Sequence, residues 1–192
     1  SLIEDIDFRA VPELRWPAVT SNDQLATLIY TSGTTGKPKG VMLTHGNLVA
    51  NVLQGARGMR ATANEVFLGV LPQFHCFGMT QLTLTPLTIG AKVVYTARFN
   101  PGKIFALARE HKATVFIGIP SMYGALVNAK GGKPEDFASM RLMVSGAEPL
   151  PDATFERFRE KFNIEICEGF GMTELAPATN VSVPDSRRRH SV

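Results

Sequence analysis

Tyr30-Thr31-Ser32-Gly33-Thr34-Thr35-Gly36-Lys37-Pro38-Lys39-Gly40 places four aliphatic hydroxyls, three glycines and two lysines in a single short run. Such a run is suited to holding phosphate. Gly33 and Gly36 lack the Cβ that keeps backbone away from an anion and accept positive φ, so consecutive N–H groups can face one concavity. Thr31, Ser32, Thr34 and Thr35 add hydroxyl donors, and Lys37 and Lys39 add charge. A hydrogen bond to a charged partner contributes roughly 1.5–3 kcal/mol. Pro38 has no N–H and stops a helix from opening there. A Walker A loop begins a helix with its lysine and hydroxyl. Here only two residues separate Gly33 from Gly36, Pro38 takes the Ser/Thr position, and Val41-Met42-Leu43 has strand character. A plain turn between strands suits Gly-Thr-Thr-Gly but does not account for the whole run.

After the loop, Thr44 is placed to cap a helix in which Leu48, Val49, Val52, Leu53 and Ala56 recur at helical spacing as far as Met59. From Val66 onward, short apolar runs alternate with amphipathic stretches. The pattern predicts strands near 66–71, 92–96, 114–118, 141–145 and 164–167. Helices are predicted near 76–89, 101–112, 120–130 and 151–162, with Asn100-Pro101 starting the second and Phe155, Phe158 and Phe162 on one face of the last. This alternation implies an α/β fold with a mostly parallel sheet and helices on both faces. Ligands of such sheets bind beyond the carboxyl ends of the strands. Three polar segments fall there: Pro72-Gln73-Phe74-His75, Ser145-Gly146-Ala147-Glu148-Pro149-Leu150 and Gly169-Phe170-Gly171-Met172-Thr173-Glu174.

Together with the hydroxyl-rich loop, these segments resemble, in order, the phosphate loop, the Pro-x-Phe-His segment, the adenine-side loop and the Tyr-Gly-Met-Thr-Glu segment of the adenylate-forming superfamily. That superfamily comprises acyl-CoA synthetases, luciferases and peptide-synthetase adenylation domains, and the chain is most like a fatty acyl-CoA synthetase. The resemblance spans residues 30–174 and implies part of the large N-terminal domain of such an enzyme. It implies ATP or AMP and Mg²⁺ as bound species. Thr31, Ser32, Gly33, Thr34, Thr35, Gly36 and Lys37 would surround the β- and γ-phosphates, and Lys39 would serve loop closure. Gly146, Ala147 and Glu148 would lie on one side of the adenine, although Glu148 reads equally as a solvated surface acid. Gly169, Phe170, Gly171, Met172 and Thr173 would lie on the other side. Phe170 stands where Tyr is usual, which keeps ring stacking and removes a hydroxyl. Thr173 would donate to the α-phosphate and Glu174 would hold Mg²⁺. His75 would orient the substrate carboxylate, unlike His45, His111 and His190, which read as ordinary histidines. Phe74, His75, Gly78 and Met79 would bound the acyl pocket, with Met79 and Phe77 alternatively core.

The amino-acid-activating relatives place an Asp just after the Phe-His pair, and this chain has none between Asp23 and Asp136. The resemblance therefore implies a small carboxylic acid, and the apolar residues of 74–80 suit a fatty acid, at about 0.8 kcal/mol per buried methylene. The acceptor would be coenzyme A or acyl carrier protein. The family's enzymes carry more protein on both sides of this segment, including a Thr-Gly-Asp ribose-binding segment and a lysine-bearing C-terminal domain. The chain accordingly reads as a segment of a longer ligase, inactive by itself. The alternative is a non-catalytic nucleotide-binding or interaction module of the same fold.

Composition agrees with a globular chain: of 192 residues, 44% are hydrophobic and 19% charged. The organisation expected is an N-terminal segment with the loop and one helix (1–64), a βα-alternating AMP- and acyl-binding subdomain (65–181) and a basic tail (182–192). The net charge of +3 equals the contribution of Arg187, Arg188 and Arg189, so the remainder is neutral and no nucleic-acid surface is implied. No uninterrupted apolar run is long enough to span a bilayer. Only two cysteines occur, Cys76 and Cys167, which points to a reduced, cytoplasmic setting.

Overall fold

The computed structural model describes residues 21–33 and 36–187. Thr34 and Thr35 of the loop, and Arg188 and Arg189 of the basic run, lie outside the described residues. Strands β1 (Leu25–Thr31) and β2 (Lys39–Thr44) form an antiparallel pair with Thr31 opposite Lys39, so the phosphate-type loop is their connection. Thr44 then caps α1 (His45–Gly58). Its hydroxyl accepts the Asn47 N–H at 3.2 Å while the Asn47 side chain accepts the Thr44 N–H at 3.0 Å. This reciprocal cap satisfies two helix-start donors.

The chain continues through β3 (Val66–Gly69), α2 (Cys76–Met79), a π-helical turn (Thr80–Leu84) and α3 (Thr85–Ile89). The single helix expected over 76–89 is therefore present, but with a widened turn in its middle. β4 (Lys92–Tyr95), α4 (Pro101–His111), β5 (Val115–Gly118), α5 (Pro120–Asn128), β6 (Leu142–Ser145), α6 (Asp152–Phe162), β7 (Cys167–Gly171) and β8 (Ala178–Val181) follow. Asn100 caps α4 by accepting the Lys103 N–H at 3.1 Å, ahead of Pro101 in the first turn.

Strands β3 to β8 form one sheet in the order β4-β3-β5-β6-β7-β8, parallel throughout except for the β7–β8 pair. The mostly parallel α/β fold is as the sequence implied. One strand differs from expectation. The run near 164–167 is strand only from Cys167, and Gly169, Phe170 and Gly171 lie within β7 rather than after it. Backbone proximity causes this: a Cβ on Gly171 would collide with the Pro177 carbonyl, so glycine lets the strand close onto the Pro177-Ala178 segment. Strand β8, which pairs there, is short and half polar, and gives little apolar alternation to read.

The core is aromatic on one side of the sheet. β5 and β6 are buried along their whole length, as strands covered on both faces must be. Phe158 packs against Tyr123, Phe137 and Phe162 with ring centroids 5.3, 6.2 and 4.7 Å away, and Phe105 extends the group. The Tyr123 hydroxyl donates to the Val144 carbonyl at 2.8 Å, which satisfies its one buried polar atom. Arg187, from the basic run, lies over the Phe155 ring at 4.3 Å and pairs with Glu165 at 3.2 Å, so it belongs to the fold rather than to a free tail. Among the described residues no helix is long and apolar enough to cross a membrane.

β1 and β2 contrast with this core. Leu25, Leu28, Tyr30 and Met42 are all substantially exposed there, and two strands alone are marginal. Amide hydrogen exchange is expected to be much faster in residues 25–44 than in 115–118 and 142–145. Equal protection in a monomer would contradict this.

Candidate active site

A cavity of about 590 Å³ opens at the carboxyl ends of β5, β6 and β7, bounded by α1, α2 and the β1–β2 connection. It gathers Thr31, Ser32, Gly33 and Lys39 from the loop side and His75 from the start of α2. From the other sheet edge it takes Gly146, Ala147, Gly169, Phe170, Gly171, Met172, Thr173 and Glu174. Of the residues singled out in the sequence, Gly36, Lys37, Phe74, Gly78, Met79 and Glu148 do not line it.

The reasons are local. Gly33, at φ 63°, turns the loop so tightly that a Cβ there would strike the Lys37 carbonyl oxygen. Lys39, opposite Thr31 in the hairpin, lines the cavity, whereas Lys37 does not; both side chains are exposed. Phe74 is 88% exposed and turned outward. Gly78 serves close packing, since a Cβ there would meet the Pro72 carbonyl. Met79 packs with Leu43, Cys76 and Ala176 in a small separate cluster.

His75 caps α2, and its Nδ1 accepts the Phe77 N–H at 3.1 Å. A neutral imidazole so held carries its proton on Nε2, which makes it a donor at the cavity wall. Ala147, between β6 and α6, sits at φ 72°, a conformation that costs a non-glycine residue roughly 1–2 kcal/mol. The neighbouring Gly146 N–H is tied to the Gly118 carbonyl at 3.1 Å. Thr173 and Glu174 begin a short 3₁₀ turn after β7. Among the described residues lining the cavity, Glu174 is the one carboxylate and Lys39 the one ammonium. The two cysteines are buried and unpaired. Burial pushes the Cys167 thiol up to about 11 and raises that of Cys76, so neither is poised as a nucleophile.

Sequence reasoning did not single out Gly55, Met59, Gln81, Ile117, Val144 and Pro177 to Val181, of which all but Thr179 line the cavity. The only sign of Gln81 in the sequence was that it interrupts the apolar stretch after Cys76.

The sequence matches the AMP-binding enzyme family over residues 3–192. The chain belongs to that family. The chain is 32% identical over 168 residues to a long-chain-fatty-acid–CoA ligase of Bacillus subtilis (strain 168), covering 86% of this chain and 30% of that protein. To 4-coumarate–CoA ligase 3 of Oryza sativa subsp. japonica it is 34% identical over 180 residues, 90% of this chain and 32% of that one. Among solved structures, the ATP-bound MatB from Rhodopseudomonas palustris superposes with a TM-score of 0.81 at 33% identity, over 88% of this chain and 33% of that one. The chain thus spans about a third of the length of these AMP-binding relatives.

Proposed function

We infer that this AMP-binding segment forms the phosphate-facing and acyl-facing part of an AMP-forming CoA ligase. The observation that carries the reading is the convergence of Lys39, Thr31 and Ser32 with His75 and with Thr173 and Glu174 on one cavity at the strand ends. In the first step a substrate carboxylate attacks the α-phosphorus of ATP and the bond to pyrophosphate breaks. In the second, the thiol of coenzyme A attacks the acyl carbonyl and AMP leaves. Two anions meet in the first step, so donors and cations must spread the charge. Lys39 with the hydroxyls of Thr31 and Ser32 holds phosphate oxygens. Thr173 donates at the α-phosphate, and His75 Nε2–H orients the carboxylate. Gly146 and Ala147 on one side and Gly169 to Met172 on the other bracket the base.

No three His, Cys, Asp or Glu side chains cluster as a metal site among the described residues. Glu174 beside Thr173 nevertheless fits Mg²⁺, which is commonly held by one or two carboxylates together with substrate phosphates. When bound, the ion would neutralise charge on the departing pyrophosphate. Coenzyme A is the acceptor supported by the names of the relatives, and the two free, buried cysteines suit a reducing cytoplasm. Met59, Phe77, Ile117, Val144 and Val181 at the cavity support an acid with an apolar body, aliphatic or aromatic.

ATP titrations of the chain at varied Mg²⁺ test this reading. Glu174→Gln keeps size and removes charge, so the Mg²⁺ needed for half-maximal ATP binding is expected to rise about tenfold or more. A metal dependence superimposable on that of the unmodified chain would leave Glu174 as an ordinary exposed acid.

A further inference from the structure

Asn51 lies on the buried face of α1 with Val52 and Ala56 and is 5% exposed. Its side chain makes four hydrogen bonds. Nδ2 donates to the carbonyls of Leu175 at 3.0 Å and Ala178 at 2.7 Å, and Oδ1 accepts the Ala178 N–H at 3.3 Å and Gln81 Nε2 at 3.1 Å. That is the whole capacity of an asparagine amide, so its orientation is fixed. Three of the bonds reach one loop. The Met172 N–H donates to the Pro177 carbonyl at 3.0 Å and closes the neck of that loop, and Thr173, Glu174 and Leu175 form the short 3₁₀ turn at its tip, with no side-chain cap at its start. Glu174 and Leu175 are exposed, so the tip has little packing of its own. Asn51 takes hold of the loop where the turn ends, at Leu175, and again where β8 begins, at Ala178. Its remaining bond ties it to Gln81, in the π-helical turn that follows the helix capped by His75.

We propose that Asn51 is a positioning residue for the metal-bound nucleotide: through the Leu175 and Ala178 backbone it holds the Thr173–Glu174 turn where the Glu174 carboxylate meets Mg²⁺. The proposal rests on the ligase reading above, in which Glu174 holds the ion. Mg²⁺ takes its ligands in near-octahedral geometry at about 2.0–2.1 Å, so a carboxylate on an unpinned turn loses affinity as its backbone drifts. Exposed turns with few buried contacts open most readily. Groups that orient a metal's ligand without touching the metal typically alter affinity about 10- to 100-fold. The anchor here is a whole helix. The start of α1 is fixed by the Thr44–Asn47 cap, and Gly58 lets it lie close to β8, since a Cβ there would come within 3.2 Å of Val181 Cγ1. Val52 and Ala56 supply apolar contacts of α1, so packing of the helix does not itself call for an amide at position 51.

The test uses the 192-residue chain and two calorimetric readouts: affinity for AMP without divalent metal, and the Mg²⁺ needed for half-maximal ATP binding. The unmodified chain comes first. Failure to bind either nucleotide would overturn the ligase reading and the proposal with it. In Asn51→Ala the Mg²⁺ requirement is expected to rise about tenfold, while metal-free AMP affinity changes by less than about threefold. In a Glu174→Gln background the same substitution is expected to add less than about twofold, because both changes act through one carboxylate. An unchanged Mg²⁺ requirement in Asn51→Ala, or an equal loss of AMP affinity, would overturn the proposal while leaving the nucleotide site standing. A full effect persisting in the Glu174→Gln background would place the action of Asn51 elsewhere and also overturn it. Should Asn51→Ala lack a cooperative thermal transition, the unmodified chain decides by NMR. The Asn51 side-chain NH₂ and the Leu175 and Ala178 amides are expected to shift when Mg²⁺ is added to the ATP-bound chain and to stay in place when it is added to the AMP-bound chain. Any other pattern would overturn the proposal.

Discussion

Lys39→Ala is expected to weaken ATP binding by the chain by roughly 10- to 100-fold, whereas Lys37→Ala is expected to change it by less than about threefold. The asymmetry follows from the hairpin. Lys39 is the β2 residue paired with Thr31, at the mouth of the loop, and it lines the cavity with Thr31 and Ser32. Lys37 does not line it, although both lysines are exposed. A lysine outside the cavity contributes to a phosphate bound there only a screened long-range attraction. Truncating Lys39 would, on the proposed function, remove a charge-assisted hydrogen bond to phosphate. Calorimetric titration with ATP at fixed Mg²⁺ reads both variants. A larger loss for Lys37→Ala than for Lys39→Ala would mean that the loop places its lysines otherwise when nucleotide is bound.

Phe158→Ala is expected to destabilise the chain by about 3–5 kcal/mol. Phe158 is fully buried in α6 and touches Tyr123, Phe137 and Phe162 at once, so its loss opens a void between two helices and the sheet. Against a domain stability of about 5–15 kcal/mol, that is a large fraction of the total. Urea denaturation followed by circular dichroism should show a lower midpoint with a similar slope. A change below about 1 kcal/mol would mean that the aromatic cluster repacks into the space, contrary to a close-packed core.

The contrast between these two residues shows what a sequence makes legible. Phe155, Phe158 and Phe162 announce a buried helix face by spacing alone, and the strands near 66, 92, 115 and 142 announce themselves as short apolar runs. Thr44 was read as a cap because a hydroxyl precedes the first helical turn, and it is one. Spacing does not report which way a side chain points across a turn. Lys37 and Lys39 are chemically equivalent until the Thr31–Lys39 pairing distinguishes them. Phe74 sits beside His75 in sequence yet faces solvent, because His75 is the helix cap and Phe74 precedes the cap. β7 was placed three residues early because Gly169 and Gly171 carry no strand signal, and the reason for their pairing lies in the Pro177 backbone. Asn51 and Gln81 are thirty residues apart, and only the fold brings them into contact.

The central claim is that the cavity at the ends of β5, β6 and β7 is a nucleotide site. Titration of isotopically labelled chain with AMP, followed through backbone amide shifts, tests it most directly. The account predicts saturable changes concentrated at Gly146, Ala147, Gly169 to Thr173 and Thr31 to Gly33. Changes confined to the separate groove between α1 and β8, around Gln54, Gly58, Thr179 and Ser182, or none at all, would contradict it.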